Sequence, residues 1–274
     1  RPLLQPVMTR GLNGNFGRNL VGLKPGVIAE AGRRLLDKKP RGIAEIAKLL
    51  LARWPDRDPR TLGYAVQYLL PIVQIPPRGV WEKNGPVTWA TAESWLGRPF
   101  KNPTTPDKLI VRYLAAFGPA SITDMRSWSG LAGLRDVVAR LRRRLRVFKT
   151  AEGDELFDLP DAPRPPGDTP APPRFLPFYD NVLLGHSDRS RIIPEAGGKW
   201  FPPGEGLLVG TILVDGFLAG RWKIALDDER ATLGVDHFVR LRTQDRAALM
   251  EEGRALLRFA ADGRSHELQI TDLS

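Results

Sequence analysis

The stretch that decides the fold is Gly133-Leu-Arg-Asp-Val-Val-Ala-Arg-Leu-Arg-Arg-Arg-Leu-Arg146, which combines a helical apolar repeat with a high density of arginine. Its apolar side chains recur at helical spacing: Leu134, Val137, Val138, Leu141 and Leu145. Such a stripe is buried on one side of a helix and leaves the other faces to solvent. We therefore predict a helix over residues 133–146 that carries guanidinium groups on its exposed faces.

The charges on this predicted helix are almost all positive. Asp136 is the only carboxylate between Leu134 and Arg146 in the sequence. A helix surface that is built for stability usually pairs opposite charges at a spacing of four residues. An ordinary solvated helix face is one interpretation of a run of charges. The scarcity of acidic residues favours the other interpretation, which is binding to a polyanion.

Shorter signals on both sides of this helix complete an order of elements. Residues 107–117 are apolar at helical spacing, and Ser121 is a predicted N-cap for a helix over residues 122–129. Residues 146–157 indicate two strands around the turn Glu152-Gly153-Asp154. Two helices, a basic third helix and a β-ribbon are the order of a winged helix, whose third helix enters a DNA major groove.

The same order occurs earlier in the chain. Helical spacing predicts helices over residues 25–37, 43–53 and 59–70, and Asp58 is a predicted cap of the last one. Two extended stretches follow around the turn dipeptide Asn84-Gly85. Residues 1–24 precede the first of these helices. They are rich in Gly and Asn, and we predict that they form a loop or the remnant of a preceding unit.

Composition completes the predicted organisation. Seven prolines between Pro160 and Pro173 indicate a stiff linker, and a hairpin is expected at Asp215-Gly216. The predicted fold class is α+β, with tandem winged-helix units followed by a small C-terminal β-barrel-like domain. The predicted segments are the loop (1–24), two winged-helix units (25–103 and 104–159), the linker (160–173) and the β-rich domain with one helix (174–274).

The net charge of +10 is unevenly distributed. Residues 1–159 hold 27 Lys and Arg against 14 Asp and Glu, whereas the remainder holds 14 against 17. We therefore predict double-stranded DNA as the partner of the basic part. No apolar run approaches the roughly 20 residues of a membrane helix. The chain has no cysteine and three widely spaced histidines, so we predict a cytoplasmic protein without a metal. We further expect no membrane partner, no cofactor and a monomer.

The predicted DNA-contacting residues lie on the two third helices and the two ribbons. They are Arg57, Arg60, Tyr64, Gln67, Arg78, Lys83, Arg135, Arg142, Arg143, Arg146 and Lys149. Arginine and glutamine can make paired hydrogen bonds to base edges, although most protein–DNA hydrogen bonds go to the backbone. For Tyr64 and Gln67, packing between domains is an equally open alternative.

A second polar cluster follows the linker and could line an active-site channel. It contains Asp180, Asn181, His186, Asp188, Arg189 and Arg191. His186 is a candidate general base, and Asp188 is a candidate orienting carboxylate. An Asp beside an Arg at the end of a strand is also common as a structural ion pair or a turn cap, so both interpretations stay open.

Two segments resemble a known family. Residues 175–191, Phe-Leu-Pro-Phe-Tyr-Asp-Asn-Val-Leu-Leu-Gly-His-Ser-Asp-Arg-Ser-Arg, and residues 68–81, Tyr-Leu-Leu-Pro-Ile-Val-Gln-Ile-Pro-Pro-Arg-Gly-Val-Trp, are similar to winged-helix proteins related to the AlkZ/YcaQ DNA glycosylases. The resemblance covers essentially the whole chain. It implies tandem winged helices and a C-terminal β-barrel around a DNA channel. The glycosylases of this family hydrolyse the N-glycosidic bond of alkylated or crosslinked bases without a metal.

The chain departs from those glycosylases at their catalytic pair, which is Gln-x-Gln or Gln-x-Asp in the first winged helix. None of the glutamines has Gln or Asp two residues on: Gln5, Gln67, Gln74, Gln244 and Gln269. We expect the pair to lie upstream of Arg1. The prediction is a double-stranded DNA-binding protein of DNA repair, a glycosylase when complete. The alternatives are a non-enzymatic transcription regulator or DNA-damage binder, and a protein–protein interaction module.

Overall fold

A computed structural model describes residues 2–81, 83–99, 104–194 and 209–273. The chain divides into two compact units, Arg1–Leu109 with Gly130–Ala132 and Ile110–Ser129 with Gly133–Ser274. Both units contain helices and strands, so the predicted α+β class is confirmed. Within the part of the chain that is described, no helix is both long and apolar enough to cross a membrane.

The first unit combines helices with a two-stranded ribbon. Its helices are α1 (Gln5–Phe16), α2 (Pro25–Lys38), α3 (Ile43–Leu51), α4 (Pro59–Leu69) and the short α5 (Ala92–Leu96). Strands β1 (Ile72–Gln74) and β2 (Trp89–Thr91) pair antiparallel. The predicted order of three helices and a ribbon is confirmed in α2 to α4 and β1–β2, and the helix boundaries agree within two residues.

Helix α4 lies at the centre of the first unit and contacts α1, α2 and α3. Asp58 caps it as predicted, since its carboxylate accepts a hydrogen bond of 2.7 Å from the backbone N–H of Thr61. Leu62 and Val66 of α4 are fully buried. Gly32 of α2 allows the close approach, because a Cβ there would lie 2.6 Å from a methyl group of Val66.

Residues 1–24 were predicted as a loop or the remnant of a preceding unit, and the loop alternative is wrong for the part that forms α1. Gly and Asn are poor helix formers, and they predict irregular structure when they are considered alone. Packing against α4 overrides that preference. Leu12 is 1% exposed in the core, and the ring of Phe16 stacks on Tyr64 with centroids 5.1 Å apart.

The second unit contains three helices in sequence and a second ribbon. These are α6 (Pro106–Phe117), which begins in the first unit, α7 (Ile122–Ser129), α8 (Leu134–Leu141), β3 (Arg146–Lys149) and β4 (Glu155–Asp158). The two strands pair antiparallel, with Val147 opposite Phe157. Gly153 in the turn between them has a φ of +92°, a conformation that favours glycine. The order predicted for residues 107–157 is therefore confirmed.

Helix α8 is shorter than the helix predicted over residues 133–146. It ends at Leu141, and Arg142–Arg144 continue as a single 3₁₀ turn. Arg146 is the first residue of β3, where it pairs with Asp158. Because strand pairing requires an extended backbone, the chain must leave the helix before Leu145. The apolar repeat gives no sign of this constraint, since Leu145 also fits a helix.

The rest of the second unit is a mixed sheet. Its strands are β5 (Arg174–Leu176), β6 (Gly210–Val214), β7 (Phe217–Leu226), β8 (Arg230–His237) and β9 (Ser265–Asp272), and they neighbour one another in that order. All pairs are antiparallel except β8 and β9, which helix α9 (Thr243–Ala260) connects. The predicted hairpin is confirmed, and Asp215 and Gly216 have positive φ angles of 52° and 78°.

The predicted C-terminal barrel is not what the described strands form. They make an open sheet with β5 and β9 at its edges. Helix α9 covers the apolar side of the sheet, where Leu249 and Leu257 pack with Leu233. A helical crossover places β9 parallel to β8. Helix α9 thus buries the apolar face of the sheet, which would face the interior in a closed barrel.

Candidate nucleic-acid interface

Helix α8 has one buried and one exposed side, as its apolar repeat predicts. The buried stripe consists of Leu134, Val137, Val138 and Leu141. None of these side chains is more than 5% exposed. Arg135 and Arg140 are exposed. Burial of the stripe therefore directs the cationic faces of α8 to solvent.

The other arginines of the helix predicted over residues 133–146 lie just after α8. We call residues 142–146 the arginine turn, and its exposed members are Arg142, Arg143, Arg144 and Arg146. A 3₁₀ turn has three residues per turn, so consecutive side chains point in different directions. The guanidinium groups consequently spread over a surface instead of forming one row along a helix. Such a spread can meet several phosphate groups at once.

Arg142 is paired with an acidic residue that the helix itself does not supply. Its guanidinium donates two hydrogen bonds, of 2.6 and 2.8 Å, to the carboxylate of Glu155 on β4, and it lies 5.7 Å from the ring centroid of Phe157. The hydrogen bond from Arg142 lowers the pKa of Glu155 below its usual value. The expectation that these arginines lack acidic partners is therefore wrong for Arg142, because its partner lies 13 residues away on the ribbon.

The aromatic ring of Phe148 on the same ribbon contacts two arginines. The guanidinium carbons of Arg146 and Arg164 lie 5.2 and 5.6 Å from its centroid, within the range of a cation–π interaction. Arg164 is also ion-paired at 3.1 Å with the buried carboxylate of Asp158. Lys149 ends β3 and is exposed. The ribbon thus adds Lys149 to the exposed cations of the arginine turn.

The predicted set on α4 is only partly available to a partner. Tyr64 is half-buried beneath Phe16, while the exposed Arg60 lies 5.6 Å from the Tyr64 ring centroid. Gln67 is half-buried. Arg57 is also half-buried, and its Nε lies 3.5 Å from a carboxylate oxygen of Asp56. Packing within the first unit therefore accounts for Tyr64, and Arg60 is the most exposed of the four predicted residues.

The ribbon of the first unit places its two predicted cations at the surface. Arg78 and Lys83 are both exposed. The Arg78 guanidinium donates a hydrogen bond of 3.3 Å to the carbonyl of Gly85, and the carbonyl of Arg78 accepts one of 3.2 Å from the side chain of Gln74. The position of Arg78 is therefore fixed by its own loop.

The polar cluster after the linker is held together by turns and caps. The carboxylate of Asp180 accepts a hydrogen bond of 2.8 Å from the Val182 N–H, and Asn181 beside it is exposed. The carboxylate of Asp188 accepts two bonds of 2.9 Å, from the N–H and the hydroxyl of Ser190. Asp188 is thus a turn cap, which favours the structural interpretation of this residue.

Arg189 and Arg191 have different environments within this cluster. Arg189 is exposed, and its carbonyl accepts the hydrogen bond that closes the turn to Ile193. The Arg191 guanidinium donates a hydrogen bond of 3.1 Å to the Pro119 carbonyl and lies 3.3 Å from His186 Nε2. Arg191 therefore ties its segment to the end of α6.

His186 is buried, and its bond is to the backbone. Its Nε2 lies 2.9 Å from the carbonyl of Phe117 and 3.3 Å from the Arg191 guanidinium, and the shorter contact, to an oxygen that can only accept, assigns the proton to Nε2. Burial and then the nearby Arg191 lower the pKa of His186, so the ring is neutral at pH 7. A neutral imidazole that is held in this way joins α6 to the segment after the linker, and this favours the structural alternative over a general base.

Sequence reasoning missed the residue at the centre of this cluster, Asp124. Its buried carboxylate accepts hydrogen bonds from the N–H and hydroxyl of Ser121, at 2.8 and 2.7 Å, and from the Ser187 N–H at 2.9 Å. Burial alone would raise the pKa of Asp124, but these hydrogen bonds lower it below its usual value. The detectable signal was the capping box, in which Ser121 also caps α7 as predicted. The contact with Ser187 has no local signal.

Another missed contact is made by the buried hydroxyl of Tyr113 on α6. It donates a hydrogen bond of 2.7 Å to the carbonyl of Gly185, and burial raises its pKa. In the described part of the chain, no group of three or more His, Cys, Asp and Glu side chains is arranged to hold a metal ion.

Comparison with protein families assigns the chain to one of them. The sequence model of the family described as DNA glycosylase AlkZ-like matches residues 1–259. The chain belongs to this family. The resemblance found in residues 68–81 and 175–191 is thereby confirmed. No curated protein is significantly similar to the chain.

A solved structure shows the same fold. The DNA glycosylase AlkZ of Streptomyces sahachiroi superposes with a TM-score of 0.70, over 91% of this chain and 70% of that protein. The two sequences are 22% identical. At that identity, the likeness supports a shared fold in the AlkZ-like family, and the activity of this chain requires its own argument.

We predict that Asp124→Asn destabilises the second unit by about 2 kcal/mol at pH 7, because a hydrogen-bonded charge is lost from a buried position. The folded pKa of Asp124 is depressed. Its contribution is therefore complete above the unfolded-state pKa of about 4 and is lost as the pH falls through the folded pKa. Urea unfolding from pH 7 to pH 3 measures the difference between wild type and variant.

The matched control for this prediction is Asp136→Asn, because Asp136 is exposed on α8. We expect it to change stability by less than about 0.5 kcal/mol. A difference between wild type and Asp124→Asn that stays constant over the whole pH range would contradict the assignment.

Proposed function

We propose that this chain binds double-stranded DNA through tandem winged helices and belongs to a DNA-repair glycosylase that acts on alkylated or crosslinked bases. Membership of the AlkZ-like DNA glycosylase family supports the link to damaged DNA. The observation that carries DNA binding is the arginine turn. It displays four exposed arginines, of which Arg142 is held by Glu155.

The winged-helix proposal rests on the repeated order of elements. Three helices and an antiparallel ribbon occur in α2–α4 with β1–β2, and again in α6–α8 with β3–β4. In a winged helix, the third helix and the ribbon contact DNA. We accordingly propose residues 25–103 and 104–159 as the two winged-helix units, residues 160–173 as a linker, and residues 174–274 as a further domain. We also propose that the protein acts as a monomer.

The distribution of cations favours contacts with phosphate. Arg142–Arg144 lie in a 3₁₀ turn and Arg146 lies on a strand, so they do not form one row in a groove. Lys149 extends the same surface along the ribbon. Phosphate contacts position a protein on the duplex, whereas specificity comes from base contacts or from DNA shape. We therefore propose that this surface holds the duplex and that recognition of damage depends on DNA deformability.

The second candidate function is a non-enzymatic DNA-damage binder. It is favoured because His186 and Asp188, the candidate general base and its orienting carboxylate, are used in structural hydrogen bonds. A duplex that carries one alkylated purine separates the two candidates. Strand cleavage by hot alkali after incubation with the protein would show base removal, while stable binding without cleavage would support the binder.

We predict that the triple variant Arg135→Glu, Arg143→Glu and Arg146→Glu binds duplex DNA roughly a hundredfold more weakly, because several phosphate contacts become repulsive. Fluorescence anisotropy with a labelled duplex measures the change. The matched control is Arg246→Glu on α9, which reverses an exposed charge elsewhere in the second unit. Equal affinity of wild type and triple variant would rule out this surface as the DNA contact.

We predict that Glu155→Gln strengthens duplex binding about threefold to tenfold, because it removes a negative charge and releases the Arg142 guanidinium. The pair lies at the surface, so its loss should leave the fold intact. Glu152→Gln is the matched control, since it removes the same charge from the same ribbon without releasing Arg142. If both variants gain equally, Arg142 has no separate part in binding.

A further inference from the structure

The loop between β1 and β2 exposes bulky apolar side chains beside positive charge. We call residues 75–81 and 83–88 the wing loop. Trp81 is 59% exposed and Val80 is 45% exposed. Arg78 and Lys83, also exposed, lie within three residues of Trp81. Burying an aromatic side chain is strongly favourable, so exposed apolar side chains beside two cations make this loop a candidate binding surface.

Hydrogen bonds hold the wing loop in a defined conformation. The Val80 N–H donates to the Pro77 carbonyl at 3.2 Å, and the Lys83 N–H donates to the Val80 carbonyl at 3.0 Å. Trp81 follows the first turn and lies within the second. Gly79 makes the first one possible with a φ of +90°, a conformation that L-residues rarely adopt.

Further contacts attach these turns to the ribbon. The Ile75 N–H donates to the Thr88 carbonyl at 3.0 Å, which extends the pairing of β1 and β2 into the loop. The Arg78 guanidinium crosses the loop to the carbonyl of Gly85. Trp81 is therefore presented at low entropic cost, because hydrogen bonds already hold the backbone of Val80 before it and of Lys83 after it.

The chemistry of the wing loop fits a nucleic acid better than an apolar surface. An indole offers a large π-face on which any base can stack. The guanidinium of Arg78 and the ammonium of Lys83 match the phosphate groups that flank such a base. The charge complementarity thus indicates a partner that carries both flat apolar rings and regularly spaced negative charges.

We propose that Trp81 enters duplex DNA at a distorted or unpaired base and stacks there, while Arg78 and Lys83 hold the neighbouring phosphates. This inference rests on the proposed DNA-binding function and adds the residue that distinguishes damaged from intact duplex. Opening a base step costs free energy, and the cost is smallest where the base is already mismatched or damaged. Stacking by Trp81 therefore occurs preferentially at damaged sites.

The experiment compares the affinity of the full chain for two duplexes of equal length, one fully paired and one with a single unpaired 2-aminopurine. Wild type should prefer the second duplex about tenfold, and its binding should change the 2-aminopurine fluorescence, which reports stacking. Trp81→Ala should lose both the preference and the fluorescence change. Trp81→Phe should retain most of both, because it keeps an aromatic ring.

The matched control is Trp95→Ala, which removes another exposed tryptophan of the first unit, 53% exposed on α5. It should leave both measurements unchanged. Circular dichroism of each variant establishes that the fold is retained. A preference that survives in Trp81→Ala, or that wild type lacks while it binds both duplexes, would overturn the assignment of Trp81. Failure of wild type to bind either duplex would instead overturn the proposed function itself, and the inference with it.

Discussion

Burial of one stripe of α8 is the constraint on which the charged surface of the second unit depends. Val137 and Val138 must lie in the core, so the cationic faces of the helix point to solvent. The ribbon then imposes a second condition, because β3 begins at Arg146 and forces the helix to end at Leu141. The arginines after that point spread over a turn and a strand. A sequence that predicts a long basic helix thereby produces a compact cationic surface.

Polar residues inside the second unit serve its architecture. Asp124 connects the cap of α7 to Ser187, and the neutral ring of His186 bonds to the end of α6. The carboxylate of Asp124 is satisfied by the backbone and the hydroxyl of Ser121, as a buried polar group requires, whereas Nδ1 of His186 is buried without a partner. Buried polar groups position the elements, and exposed cations remain for a polyanionic partner.

The sequence predicted what depends on local signals. The caps at Asp58 and Ser121 and the turn at Asp215-Gly216 were predicted because their side chains or backbone act within a few residues. Contacts between distant residues escaped prediction. Helix α1 forms against its local preference because it packs on α4, and the sheet stays open because α9 covers it. The sequence predicted which arginines follow Gly133, but it placed them on one helix, whereas they lie on a helix, a 3₁₀ turn and a strand.

The salt dependence of duplex binding by the wild-type chain tests the central claim most directly. Each phosphate contact releases condensed counterions, so the logarithm of the binding constant falls by about 0.9 per contact for each tenfold increase in salt. If the arginine turn and the ribbon of the second unit hold the duplex, the slope should correspond to about three phosphates or more. A flat salt dependence, or the absence of duplex binding at low salt, would contradict the account.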